Sequence, residues 1–515
     1  MTNGIVRMGG MVALFVTSLS VAGLAQDNPL VSKLFSDHMV LQRGMPVPVW
    51  GTAKAGTKVT VKFGAQEKSA EADKAGKWMV RLDALNASTT PAELTITSAT
   101  GNAAVKVADV LVGEVYLCGG QSNMAMYMKE LSANVEISKA DFPLLRQNRL
   151  GEGWAVCSPA TNSEFCATSY FFGRKLVQET GVPIGILSAA LSGTPIEKWL
   201  EPEGFKSEPA LRKMELNHMA EYRKNLASHL ANTDDWLKAS RDALTTGKDF
   251  PVQPKLIDTP NPDFGGVYGY AERLVPYAFR SLLWYQGESN GDDDMKIYLP
   301  KLRALITGWR KVWQQGDFPV YIVQLPCYTG SAKPEGGDGW SGVRLAQLQC
   351  HRSIKNIGLV VLVDLGEADS LHPSNKLDLG NRLALWALAK DFGKTNLICS
   401  GPIFKSSKIE GSKIRVAFDS VGKGLMVGSK KGQEPVQEVP GGKLKQFAIA
   451  AADPASPGGL KWVWAEAAID GNSVVVSSPE VPKPAAVHYA DSRNPDGCNL
   501  YNKDGLPASP FRTED

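Results

Sequence analysis

Histidine and cysteine are both scarce in this chain of 515 residues, with six of the first and seven of the second. Six histidines make a short roll of candidate general bases. No two cysteines form a C-x-x-C pair and none cluster, which argues against a disulfide scaffold and a cysteine-held metal centre. Cys157 and Cys166 are close enough in sequence to be expected as a pair in an oxidising compartment. An excess of one charge is missing too, since 56 Lys and Arg stand against 53 Asp and Glu. With a net charge of only +3 and no dense basic block, neither nucleic acid nor an anionic membrane surface is implied as a partner. After the first 25 residues no apolar run is long enough to span a bilayer.

What is present begins with a secretory pattern: Arg7, an apolar segment from Met11 to Ala22, and the small-x-small site Gly23-Leu24-Ala25. A soluble, secreted or periplasmic protein is expected, cleaved near Ala25. Its length calls for two or three domains. From residue 26 to 108, short apolar runs alternate with Gly, Pro and Asn, as in Lys58-Val59-Thr60-Val61-Lys62-Phe63, which predicts a β-sandwich domain. Residues 109–400 alternate buried strands with helices, the text of a parallel α/β sheet. Strands are expected at Asp109 to Leu117, Val182 to Ala190, Leu283 to Tyr285, Val320 to Leu325 and Gly358 to Val363. A partly helical insert, 201–264, reads equally as a pocket lid or as a peripheral decoration. Residues 401–515 return to short strands and a polar tail.

The chemistry centres on Leu117-Cys118-Gly119-Gly120-Gln121-Ser122-Asn123-Met124. A strand, a glycine turn and a predicted helix from Asn123 to Leu131 set Ser122 at the carboxyl edge of the sheet, near unpaired backbone N–H groups. Ser122 reads either as a nucleophile or as a helix cap. The surrounding five residues do not fit G-x-S-x-G, because Met124 stands at the second glycine. A serine nucleophile needs a base and a group to orient it. His38 and His488 fall in β regions, His218 and His229 in the insert, and His351 inside a predicted helix. His372 follows the last parallel strand through a loop, with Asp369 three residues before it. An Asp beside an incidental His is the alternative. Ser122 N–H, Gly193 N–H and the Gln286 side-chain amide are candidate oxyanion donors from three carboxyl-end loops, Gln286 reading also as a structural amide. Glu288 is a site organiser or, with Asp364 or Asp369, the acid of a glycosidase. Asp292-Asp293-Asp294 lacks the spacing of a calcium loop.

Gly120 to Met124, Ser192-Gly193-Thr194-Pro195-Ile196-Glu197-Lys198-Trp199, Trp284-Tyr285-Gln286-Gly287-Glu288-Ser289-Asn290 and Asp369-Ser370-Leu371-His372-Pro373 together resemble the sialate O-acetylesterase family of SGNH hydrolases. Met39-Val40-Leu41-Gln42-Arg43 and the closing run from Asn499 to Arg512 resemble it as well, so the likeness covers nearly the whole mature chain. The resemblance implies a flavodoxin-like α/β/α catalytic domain that removes acetyl groups from sugar hydroxyls with no metal or other cofactor. It implies Ser122 as nucleophile, His372 as base and then acid, Asp369 as the group orienting His372, and Gly193 and Gln286 at the oxyanion. Asn123 and Glu288 are expected to organise the site. The expected partner is an acetylated carbohydrate, from sialic acid esters to acetylated xylan. A non-catalytic carbohydrate-binding protein is the reading from another class.

Overall fold

The computed structural model describes residues 30–101, 104–254 and 265–514. The predicted leader and part of the insert lie outside the described residues. One strand, β1 (Val105–Gly120), runs through two regions. Its first half is partly exposed and pairs antiparallel with Ser88–Ser98 and parallel with Val40–Gln42. Its second half, Val-Tyr-Leu-Cys at its centre, is buried on both faces, the demand that a central parallel strand makes of its sequence. The boundary expected at residues 108 and 109 therefore falls inside a single strand.

The following strands are β2 (Phe142–Arg149), β3 (Trp154–Cys157), β4 (Ile184–Ala190), β5 (Ser281–Tyr285), β6 (Val320–Val323) and β7 (Ile357–Val360). They lie in the order β7-β6-β5-β1-β4-β2-β3, all parallel except β3 on β2. Taken alone, β4-β1-β5-β6-β7 carries the 2-1-3-4-5 order of a doubly wound sheet, whose switch point lies beside β1. Helices cover both faces. Tyr116 of β1 meets Phe172 of α2 (Ala167–Thr180), with ring centroids 4.7 Å apart. Gly119, at an odd spacing from Tyr116 and hence on the other face, meets Trp309 of α4 (Tyr298–Trp313). α6 (Lys376–Lys390) packs on α2, and α5 (Gly339–Ser353) on α4.

The β-rich ends flank this sheet. At the N-terminal end, Val47–Thr52 pairs with Lys77–Leu82 beside the sheet of Lys58–Phe63, Gln66–Glu71 and Ser88–Ser98. The C-terminal region holds three small sheets, two of them joined by aromatic packing around Phe511, which stacks on Phe404 at 4.9 Å. Most of the insert is one 38-residue helix, α3 (Pro209–Thr246), whose described side chains are mainly exposed.

Two expectations need correction. The helix predicted from Asn123 to Leu131 is only α1 (Ser122–Ala125), because Met126 turns to extended backbone and Tyr127 bridges to Cys166. Cys157 and Cys166 are both free, as are all seven cysteines. Cys166 Sγ faces Ser188 Oγ at 3.3 Å and Cys157 Sγ faces Asn162 Nδ2 at 3.5 Å.

Candidate active site

Gly120, Ala190 and Tyr285 stand level in the sheet, so the loops after β1, β4 and β5 leave from one line. Gly120 is required by its turn: at φ 137° an added Cβ would lie 2.0 Å from the Tyr285 carbonyl oxygen. The chain then bends, Gln121 N–H donates to that same carbonyl at 3.1 Å, and α1 starts at Ser122. Gln121 is the residue that caps α1, so Ser122 does not serve as its cap. The Ser122 hydroxyl instead meets His372 Nε2 at 2.8 Å, across 250 residues of chain. A loop from the far strand β7 brings the imidazole back along the sheet edge, and Asn123 Nδ2 secures it by donating to Leu371 O at 3.0 Å.

Burial, and then the positive charge of Lys376, hold the His372 pKa below its ordinary 6.5, while Glu130 opposes them. The imidazole is therefore neutral at pH 7 and able to accept a proton. The backbone N–H groups of Ser122 and Gly193 have no acceptor among the described residues. Gly193 takes a φ of 71° on an exposed stretch of the loop.

Beneath Ser122 lies a buried polar cluster. Asn123 Nδ2 donates to Glu288 Oε1 at 2.5 Å, and Asn123 Oδ1 accepts from Lys376 Nζ at 2.5 Å. One amide thus bridges an ammonium and a carboxyl group. Burial pushes Glu288 above its usual range and Lys376 down to about 8. Glu288 Oε2 is buried with no hydrogen-bond partner. Asn123 and Glu288 were read from the sequence as site residues; Lys376 was not. A cation in the first turn of α6, where the helix dipole favours anions, was the available signal.

Gln286 is not free to meet an oxyanion. Its amide nitrogen donates to Gln121 Oε1 at 3.0 Å and Asn290 Oδ1 at 2.8 Å, with Thr194 O at 3.3 Å. Its Oε1 accepts from Tyr298 at 2.7 Å, and the side chain is fully buried. It ties the three loops together from below, the structural role that its sequence also allowed. Asp369 sits in the tight turn closed by Ser370 N–H on Glu367 O at 3.1 Å. That turn faces Asp369 outward: it is exposed, and no hydrogen bond among the described residues joins it to His372. Asp364, proposed as partner acid for Glu288, is held by Arg382 through two bonds of 2.7 Å. Within the acidic triplet, Asp293 pairs with Lys301 at 2.6 Å and Asp292 with Arg493. His351, with Nδ1 2.7 Å from Ile357 O, and His488, with Nε2 2.7 Å from Pro334 O, are structural.

Residues 270–389 match the family model described as carbohydrate esterase, sialic acid-specific acetylesterase. The segment contains Gln286, Glu288, Asp369, His372 and Lys376. The solved structure of a carbohydrate acetylesterase from Xanthomonas citri superposes with a TM-score of 0.74 at 31% identity, covering 94% of this chain and 99% of that one. Fold and site thus define a carbohydrate esterase. Sialate O-acetylesterase of Rattus norvegicus is 27% identical over 423 residues, 73% of this chain and 75% of the relative. That of Homo sapiens is 26% identical over 416 residues, 72% of each. The chain belongs to the sialate O-acetylesterase family.

Proposed function

We propose that this protein is a serine esterase that removes O-acetyl groups from carbohydrates, acting on 9-O-acetylated sialic acid. The observation that carries the reading is the 2.8 Å contact between His372 Nε2 and Ser122 Oγ. A neutral imidazole at that distance takes the hydroxyl proton as Oγ attacks the acetyl carbonyl. The tetrahedral oxyanion is met by the Ser122 and Gly193 N–H groups, each such donor contributing about 3 kcal/mol of transition-state stabilisation. His372, now charged, returns its proton to the sugar oxygen as the alcohol leaves. Water, deprotonated in turn by His372, releases acetate from the acetyl-enzyme. Asp369 is the group we assign to orient His372, supported by its place on the same loop and by a carboxylate free of other partners among the described residues. The 2-1-3-4-5 sheet supports an SGNH-type, flavodoxin-like catalytic unit. Action outside the cytoplasm rests on the segment 1–25.

The test is acetate release by wild type and Ser122→Ala from 9-O-acetylated sialic acid and from acetylated xylan, with circular dichroism as the fold control. Activity on the sialic acid ester that vanishes in a folded Ser122→Ala protein is expected. Equal release by both proteins would sink the serine mechanism, and preference for xylan would replace the substrate.

A further inference from the structure

Arg149 ends β2, and its register partner on β4 is Ser188, so its backbone comes up at the sheet edge that carries Ser122. Its guanidinium carbon stands 4.0 Å from the ring centroid of Tyr127, which follows two residues after α1. Contacts knit this corner together. Tyr127 bridges to Cys166, whose thiol faces Ser188, and Tyr127 N–H donates to Glu130 Oε2 at 2.6 Å. Glu130 lies within electrostatic reach of His372, and both Glu130 and Arg149 reach Cys166. The corner thus adjoins the short helix that begins at Ser122.

Among the described residues, Arg149 has no ion pair and no hydrogen bond from its guanidinium, and its Nε is buried without a partner. Its neighbours differ. Arg146, three residues earlier on the same strand, is paired with Asp109, and Lys129, over the same Tyr127 ring, is paired with Glu164 at 2.8 Å. A guanidinium seated over an aromatic ring with its donors unanswered is free to take a planar carboxylate through two parallel hydrogen bonds. We propose that Arg149, backed by Tyr127, is the specificity-determining residue that recognises the carboxylate of the acetylated sugar acid. This rests on the esterase reading of Ser122 and on its sialic acid substrate, and names the residue that reads the substrate's charge.

The test compares 9-O-acetylated sialic acid with its carboxyl methyl ester, which keeps the sugar and removes the charge. Wild-type kcat/KM is expected to favour the free acid by tenfold or more. In Arg149→Met the preference falls to about one, and Arg149→Lys restores part of it. A wild-type enzyme with no preference, an Arg149→Met protein that keeps it, or an equal loss on both substrates would overturn the assignment. Circular dichroism confirms the fold of each variant, and a wild type without preference overturns the assignment whatever the variants do. Hydrolysis of p-nitrophenyl acetate by wild type but not by Ser122→Ala reports the esterase reading separately, so a failure there is distinguishable from a failure of Arg149.

Discussion

The half of β1 that lies in the parallel sheet, Glu114 to Gly120, has a buried charged cluster at its foot and another just past its head, and the two are built on opposite principles. At its foot, fully buried Glu114 accepts from Gln42 at 2.6 Å, Arg43 Nε at 2.7 Å and Arg280 Nε at 2.9 Å. Each carboxylate oxygen is answered by donors from elements far apart in sequence. At its head, the Asn123–Glu288–Lys376 cluster leaves one Glu288 oxygen unanswered, and the lysine is displaced to about 8. A buried carboxylate with complete partners is fastening, whereas an incompletely answered one next to a nucleophile marks the place where charge balance is tied to chemistry. The foot joins the N-terminal β region to the catalytic sheet; the head sets the state of His372.

The largest effect that separates the two ends is on turnover. Ser122→Ala and His372→Ala are expected to lower kcat by about ten-thousandfold or more while leaving thermal unfolding unchanged. Glu114→Ala should do the reverse. Removing the carboxylate strands two arginines, at a cost of about 3–5 kcal/mol in stability. Calorimetry would show the lower Tm, and kcat per folded molecule at a permissive temperature should match wild type. A Glu114→Ala protein that keeps its Tm would end the contrast. Next comes Asp369→Asn, expected to lower kcat by about ten- to a hundredfold, less than His372→Ala, because the outward turn does not hold the imidazole in the geometry described. A loss as large as that of His372→Ala would show instead that Asp369 is as necessary as the base.

The head was partly legible in the sequence, the foot hardly at all. Ser122 and His372 could be found because glycine turns, strand ends and a short roll of histidines leave few alternatives. The Gln42-Arg43 run was noticed as text, but its purpose needs Glu114, 71 residues after Arg43, which only pairing brings near. Gln286 carries two readings in the sequence, oxyanion donor and structural amide, and its hydrogen bonds favour the second, since a sequence shows that an amide lies at a strand end and not whether it faces the pocket or the loops below. Strands β2 and β3 carry no apolar signature because Arg146, Gln147 and Asn148 are polar yet buried, bonded to Asp109, Cys166 and Gly151. Lys376 was hidden for the same reason: one lysine in a first turn reads as a solvated side chain until its partners are known.

The smallest effects test how the head is tuned, and their signs are opposite. Lys376 holds the His372 pKa down and Glu130 holds it up. The acid limb of kcat/KM, on which activity falls as the imidazole takes a proton, should therefore move to higher pH in Lys376→Met and to lower pH in Glu130→Gln. Shifts in the same direction would remove charge balance as the explanation. Stability gives an independent reading of the same lysine. Its folded pKa, about 8, lies below its ordinary 10.5, so between those values the unfolded chain holds a proton that the native protein has released. Wild-type stability should accordingly rise with pH across that window, the cost of the buried ammonium being full below pH 8 and gone above 10.5. Denaturant titrations of wild type and Lys376→Met at pH 7 and pH 10 would measure it. The stability difference between the two proteins should move in favour of wild type at the higher pH, and a difference independent of pH would mean that Lys376 is not the charged group the head is balanced around.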